Sequence, residues 1–132
     1  MREISVTTER RTQLLDITAK VREAVGSDAE GSAALVYVPH TTAGVTINEK
    51  IDPDLLVDFE MALSGMVQDD WTWKHVDADG PNAPAHVRAS VLGPQVLVPL
   101  RGGELALGTY QGIFFCEFDG PRTRTVYVST LI

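Results

Sequence analysis

Several stretches of this chain are short apolar runs, rich in β-branched and aromatic residues and bounded by glycine, proline and aspartate, which points to a fold built on sheets. Ala33 to Val38 is a continuous apolar run with the character of a buried strand, and Val45-Thr-Ile-Asn48 alternates as a half-buried strand does. From Gln95 onward the pattern is again β. Val96-Leu-Val98 and Leu105-Ala-Leu107 flank the turn Arg101-Gly-Gly-Glu104 as a hairpin. Tyr110 to Phe118 and Thr125 to Leu131 flank Asp119-Gly-Pro121 as a second. Glu3 to about Arg10, β-branched and polar, reads as an outer strand.

Three stretches carry a helical period instead. Asp16 can cap a helix in which Ile17, Val21 and Val25 recur every turn, and Gly26 to Gly31 ends it. Asp52 followed by Pro53 starts a second helix running to about Val67, with Leu55, Phe59, Leu63 and Met66 as its stripe. A third runs from about Ala83 to Leu92, with Asn82, His86 and Ser90 on one side, Val87 and Val91 on another, and Pro94 closing it. Helices inserted among antiparallel strands, without regular βαβ alternation, predict an α+β fold: a β-rich, sandwich-like single domain. A length of 132 residues with 44% apolar content suits one core, so residues 1–132 read as one domain.

Charge narrows the choice of partner. With 18 acidic residues against 11 basic ones, the net charge of −7 opposes nucleic acid, which needs a basic face. A small phosphorylated ligand stays compatible, because a few well-placed arginines serve it locally. There is no charged leader with an apolar run behind it, and the longest apolar stretches fall short of the roughly 18 residues of a bilayer span. A cytoplasmic protein is the expectation, and the single Cys116, which excludes an internal disulfide, suits that reducing compartment.

All three histidines, His40, His75 and His86, fall in two polar segments. The first is His40-Thr-Thr-Ala-Gly-Val-Thr-Ile-Asn48-Glu49, followed by Asp52-Pro-Asp54. The second runs from His75 through Asp77, Asp79 and Asn82 to His86. Imidazole is the side chain best suited to proton transfer near neutral pH and to transition metals. Three of them match the ligand set of an open catalytic zinc site, but no pair stands one turn apart on a helix, so convergence depends on tertiary folding. The plainer alternative is that each histidine caps a turn or bonds a loop carbonyl. A calcium loop starting at Asp77 fails, because Asn82 and Arg88 stand where an EF-hand needs glycine and glutamate.

The remaining polar residues divide in the same way. Asp52 and Asp54 stand where helix stability alone places acids, whereas Glu49 has no such reason. Gln111, Ile113, Phe115 and Glu117 share one face of their strand, and a buried Glu117 requires an arginine partner or a function. Arg122 and Arg124 can bind an anion or pair with Asp119 and Glu117. Cys116 lies among aromatic neighbours and reads as a packed core thiol.

Taken in order, several motifs resemble the YjbQ-like family of small bacterial and archaeal proteins, from about Gly31 to the end of the chain. They are HTTAGVTINE with Asp52-Pro-Asp54, the block from His75 through Asp79 and Asn82 to His86, Leu107-Gly-Thr-Tyr-Gln111, and Glu117-Phe-Asp-Gly-Pro-Arg122. The resemblance implies a compact β-rich α+β domain assembling as a homotrimer. It implies a polar site whose residues fall on His40, Thr41, Asn48, Glu49, Asp52, His75, Asp79, Asn82, His86, Gln111 and Glu117. It also implies a weak, secondary thiamine-phosphate synthase activity, which joins hydroxymethylpyrimidine diphosphate to thiazole phosphate and releases pyrophosphate. Tyr110 departs from the family, which often has tryptophan there.

The expectation is therefore a small-metabolite enzyme of transferase type. In it His40, His75 and His86 bind a divalent metal, zinc or magnesium, or share proton transfer, and Glu49 or Glu117 acts as base or orienter. Thr41, Asn48, Asp79, Asn82 and Gln111 position substrate, and Arg88 or Arg122 stabilises departing pyrophosphate. A metal-dependent hydrolase fits the same residues, as does a non-catalytic trimer that binds a metal or metabolite. In each case the partner is a small molecule, with neither nucleic acid nor membrane.

Overall fold

The computed structural model describes residues 1–27, 29–76 and 81–132. In chain order they form β1 (Arg2–Thr7), β2 (Gln13–Asp16), α1 (Thr18–Val25), β3 (Ala33–Tyr37), β4 (Ala43–Glu49), α2 (Pro53–Met66), α3 (Ala83–Leu92), β5 (Gln95–Arg101), β6 (Glu104–Leu105), β7 (Gln111–Glu117) and β8 (Thr123–Leu131). The strands make two antiparallel sheets, one in the order β1-β8-β3-β5-β6 and one in the order β2-β7-β4. This is the α+β, sandwich-like arrangement expected of the element order.

β7 occupies the middle because both its faces are apolar. Ile113 and Phe115 point to the larger sheet and join Val36, Val38, Val98 and Val126, with Ile17 and Val21 at the start of α1 closing one side. Phe114 and Cys116, with Phe118 beyond the strand, point the other way and meet Leu63 of α2 and Ala85 and Ala89 of α3. Three layers result: large sheet, small sheet, and α2 with α3. Each fully buried Phe or Ile contributes about 1.5–3 kcal/mol, so alternation along β7 holds the layers together.

The face assignment along β7 is as the sequence indicates, but its pairing is not. β7 and β8 are not a hairpin: β7 pairs with β2 and β4, while β8 pairs with β1 and β3. The Asp119-Gly-Pro121 connection crosses between sheets and finds its hydrogen bonds in the segment after β1. The Gly120 N–H donates to the Arg11 carbonyl at 3.0 Å and the Thr8 N–H to the Arg122 carbonyl at 2.8 Å. A Cβ at Gly120 would stand 2.2 Å from the Arg10 carbonyl oxygen, which is why that turn carries glycine. Strand β2 carries no signal in the sequence, because four residues around Leu14-Leu15 are too few to show a period.

The helices follow their signals with shifted faces. Asp52 caps α2 by accepting from the Asp54 N–H at 2.9 Å, with Pro53 in the first turn. The packed stripe is Leu56, Phe59 and Leu63, not the stripe through Leu55 and Met66, and Met66 is exposed. Asp16 accepts from both the N–H and the hydroxyl of Thr18, serving the start of α1 from one residue before its cap Ile17. On α3 the larger Val87 and Val91 face out and the small Ala85 and Ala89 face in. The reason is proximity, since a Cβ on Gly44 of β4 would lie 2.8 Å from the Gly93 carbonyl oxygen. Among the described residues no helix is long and apolar enough to cross a membrane.

Candidate functional site

His40 follows β3 where its ladder stops. Tyr37 pairs with Tyr127, so two steps further on that register Pro39 would stand against Thr125. Proline has no N–H to offer. The imidazole of His40 substitutes, its Nε2 lying 3.0 Å from the Thr125 N–H and 3.1 Å from the Thr125 carbonyl. In one tautomer Nε2 accepts from the N–H and leaves Nδ1–H for a ligand; in the other it donates to the carbonyl. Burial and then the Arg124 guanidinium push the His40 pKa below its usual value, only partly offset by the Thr125 backbone and Glu117. His40 is thus neutral at physiological pH.

The close seat of α3 on β4 brings His86 to His40. Both line a cleft of about 330 Å³ with Thr41, Ala43, Ala89, Ser90 and Pro94. The Ser90 hydroxyl donates to the His86 carbonyl at 3.1 Å, one turn back on the helix. On the other side of His86 lies a second hollow of about 280 Å³, lined by His75, Ala83, His86 and Val87. The His75 and His86 rings meet edge-to-face, with centroids 5.2 Å apart and planes at 90°. All three histidines therefore gather around the outer side of α3.

Behind His40 runs a buried polar network. Glu117 is fully buried and lies opposite Arg124 between the sheets. Its Oε1 accepts from Thr8 Oγ1 and Arg124 Nε, both at 2.8 Å. Its Oε2 accepts from the N–H groups of Phe118 and Asp119 and from Arg124 Nη2. Arg124 also donates to Thr42 Oγ1 at 2.8 Å. A buried charge is tolerated when paired and fully hydrogen-bonded, and here both conditions hold. This places Glu117 in the framework that carries His40, and the sequence alternative of an arginine partner is the one realised.

Other candidates lie apart. Antiparallel pairing sets Ala43 opposite Glu117 at one end of β4 and Glu49 opposite Gln111 at the other. Six steps of about 3.3 Å put these ends about 20 Å apart. Asn48 Oδ1 accepts from the Glu49 N–H, Glu49 Oε2 from the Asp52 N–H at 3.2 Å, and Gln111 Oε1 from the Gly108 N–H at 2.8 Å. Each of these bonds is local, and Glu49 does have a structural use in the entry to α2.

The arginines and the remaining candidates are also placed. Arg88 is buried, and its guanidinium clamps the Val67 carbonyl at the end of α2 at 2.6 Å and Asp69 at 3.2 Å. Arg122 donates to the Asp119 carboxylate at 3.1 Å and to its carbonyl at 2.7 Å. Asn82 Nδ2 donates to Asp119, and Asn82 Oδ1 is buried without a partner among the described residues. Cys116 is a core thiol whose pKa burial pushes far up. Asp79 and Asp77 lie outside the described residues. Among those residues no three or more His, Cys, Asp or Glu side chains form a set able to hold a metal ion.

Sequence reasoning missed the walls of the cleft. Ala43, Ala89 and Pro94 carry no chemistry of their own and act by leaving space. Thr42, just before β4, serves Arg124, and Thr8, just after β1, serves Glu117. The only signal available for them was the small-residue pattern of α3.

The fold and site define an α+β domain with a histidine-lined cleft between its smaller sheet and its third helix. The family model described as UPF0047 protein YjbQ-like matches residues 2–132, and the chain belongs to that family. A UPF0047 protein of Archaeoglobus fulgidus is 43% identical over 98% of this chain and 99% of its own length. UPF0047 protein YugU of Bacillus subtilis is 40% identical over 99% and 98%. Among solved structures, an uncharacterized conserved protein of the family from Clostridium acetobutylicum superposes with a TM-score of 0.88 at 42% identity, covering 98% of both chains. A hypothetical protein from Aeropyrum pernix gives 0.90 at 40% identity, covering 98% of this chain and 96% of its own.

Proposed function

We propose that this chain is a small-metabolite enzyme in which His40 and His86 exchange protons with a substrate seated between them. The observation that supports this is the meeting of His40 and His86 across an open cleft, with His75 against the other side of His86. A neutral His40 with one nitrogen held by Thr125 can take or give a proton at the other, the usual role of a catalytic imidazole. Thr41 and Ser90 supply hydroxyls that position the substrate. The family likeness makes thiamine-phosphate synthase-like transfer the first reaction to test. In that reaction the released pyrophosphate needs positive charge; Arg88 is committed to Val67, so the duty falls to Arg122 or to a divalent ion. The described side chains do not assemble a three-ligand metal set, so any such ion would arrive with the diphosphate.

The proposed assembly is the homotrimer that the family likeness implies. Glu49, Asn48 and Gln111 stand too far from His40 in the same chain to share its substrate. They serve this cleft only when a neighbouring chain supplies them. Sedimentation measures the assembly.

The reaction is tested by incubating the protein with hydroxymethylpyrimidine diphosphate and thiazole phosphate and following pyrophosphate release. His40→Gln and His86→Gln should lower turnover by about 100-fold or more, the usual worth of positioned acid–base groups. Variants that fold and turn over normally would remove the proposal.

A further inference from the structure

The last turn of α1 and strand β6 flank a cleft of about 460 Å³, larger than the one between His40 and His86. It lies at the other end of β5. Pro94 lines the histidine cleft just before that strand, whereas Leu105 pairs with Leu100, so six steps of about 3.3 Å put the two clefts about 20 Å apart. The floor is apolar, formed by Val25 and Leu105, both half-buried and packed against the main core. A close approach fixes the walls. A Cβ on Gly103 would stand 3.1 Å from the Ser27 carbonyl oxygen and 3.2 Å from the Ala29 nitrogen, so the turn between β5 and β6 presses on the chain that leaves α1. Around the rim stand Arg22, Glu23 and Glu104, all exposed, and none has an ion-pair partner among the described residues. The Gly26 N–H closes α1 on the Arg22 carbonyl at 2.9 Å, and the carbonyls beyond it add the negative end of the helix dipole.

We propose that this cleft binds an apolar α-amino acid. Its carboxylate pairs with Arg22, its ammonium with Glu104 and the carbonyl end of α1, and its side chain lies on Val25 and Leu105. Charge argues against simpler ligands. A plain anion gains one guanidinium but meets two carboxylates and the negative end of a helix, and a plain cation leaves Arg22 beside it unanswered. A zwitterion with an apolar body answers the rim and the floor together. The volume suits a small ligand, and an apolar floor with a few orienting polar groups is the usual make-up of such a pocket. Arg22 in the last turn also complements the helix dipole, but that duty needs neither an apolar floor nor an acid supplied by β6. The cleft shares no lining residue with the one between His40 and His86, so it is a second site and stands apart from the proposed reaction.

The test titrates the full chain with L-leucine and with three probes that each lack one part of it: isoamylamine without the carboxylate, 4-methylpentanoate without the ammonium, and glycine without the apolar body. Binding is read by calorimetry and located by the backbone amide resonances. Leucine should bind most tightly, shifting Gly26, Ser27 and Leu105 and leaving His40 and His86 unmoved. Each probe should bind about fivefold more weakly or worse, the upper worth of one exposed ion pair. Arg22 and Glu104 are exposed, so Arg22→Gln and Glu104→Gln should melt as the parent does. Arg22→Gln should weaken leucine and 4-methylpentanoate by about fivefold and leave isoamylamine no weaker; Glu104→Gln should weaken leucine and isoamylamine and leave 4-methylpentanoate no weaker. That crossed pattern supports the site. No saturable binding of leucine below about 10 mM, a fivefold or greater preference absent for any probe, variants that weaken every ligand alike, or shifts centred on the histidines overturns it.

Discussion

The two ends of the β4–β7 pair carry similar side chains and use them differently. At the Ala43–Glu117 end, a carboxylate is sealed between the sheets and held by Arg124, Thr8 and two backbone N–H groups. At the Glu49–Gln111 end, each side chain reaches no further than three residues to bond a backbone N–H. Desolvation makes the difference. Inside the sandwich a charge without partners costs several kcal/mol, so the first end is tightly specified and can hold His40 in place. At the more exposed end water competes for every bond, and the acids there shape the turn into α2.

The strongest way to break this contrast is to remove one carboxylate at each end. Glu117→Leu leaves Arg124 buried without a counter-charge and should cost about 3–5 kcal/mol in chemical denaturation, whereas Glu49→Gln gives up one exposed bond and should cost less than about 1 kcal/mol. Equal losses would end the distinction. Next in size is Gly44→Ala, whose added carbon would meet the Gly93 carbonyl oxygen at 2.8 Å. Overpacking of this kind should cost about 1–3 kcal/mol and push α3 away from β4, opening the cleft between His40 and His86. A fully stable Gly44→Ala chain would show that the helix has room to spare. Asp52→Ala, at the Glu49 end, should cost about 1 kcal/mol through its cap alone, leaving the His40 resonances unmoved.

The smallest effect sharpens the contrast through pH. His40 has its pKa lowered in the folded state, by burial first and Arg124 second. The unfolded chain therefore binds a proton near pH 6.5 that the folded chain resists, and stability present above that pH is lost as the pH falls through it toward the lower folded value. Denaturation between pH 7 and 5 should be steeper for the parent chain than for His40→Gln, which keeps a side-chain amide for Thr125 but does not titrate. Parallel curves would mean that His40 is not held neutral by its surroundings.

Much of the fold was legible because local rules dictate it. Asp52-Pro53 starts α2, α3 spans the residues its punctuation marks, and alternation along Gln111–Glu117 sorts its side chains correctly onto two faces. Pairing was not legible. A turn such as Asp119-Gly-Pro121 reads the same whether it closes a hairpin or carries the chain to another sheet, and only its bonds to Thr8 and Arg11 decide.

The site divides along the same line. The sequence by itself determined which residues carry chemistry: three imidazoles in two polar segments, and a glutamate on a strand face that had to be paired or functional. The tertiary structure decided which of them meet. Small side chains on α3 and the absent Cβ of Gly44 draw His86 to His40, and pairing with Arg124 turns Glu117 into framework. The length of β4 carries Glu49 and Gln111 about 20 Å away. Spacing along a chain fixes the face on which a side chain lies, but distance across a fold is set by how closely layers pack, and residues with no chemistry of their own set that.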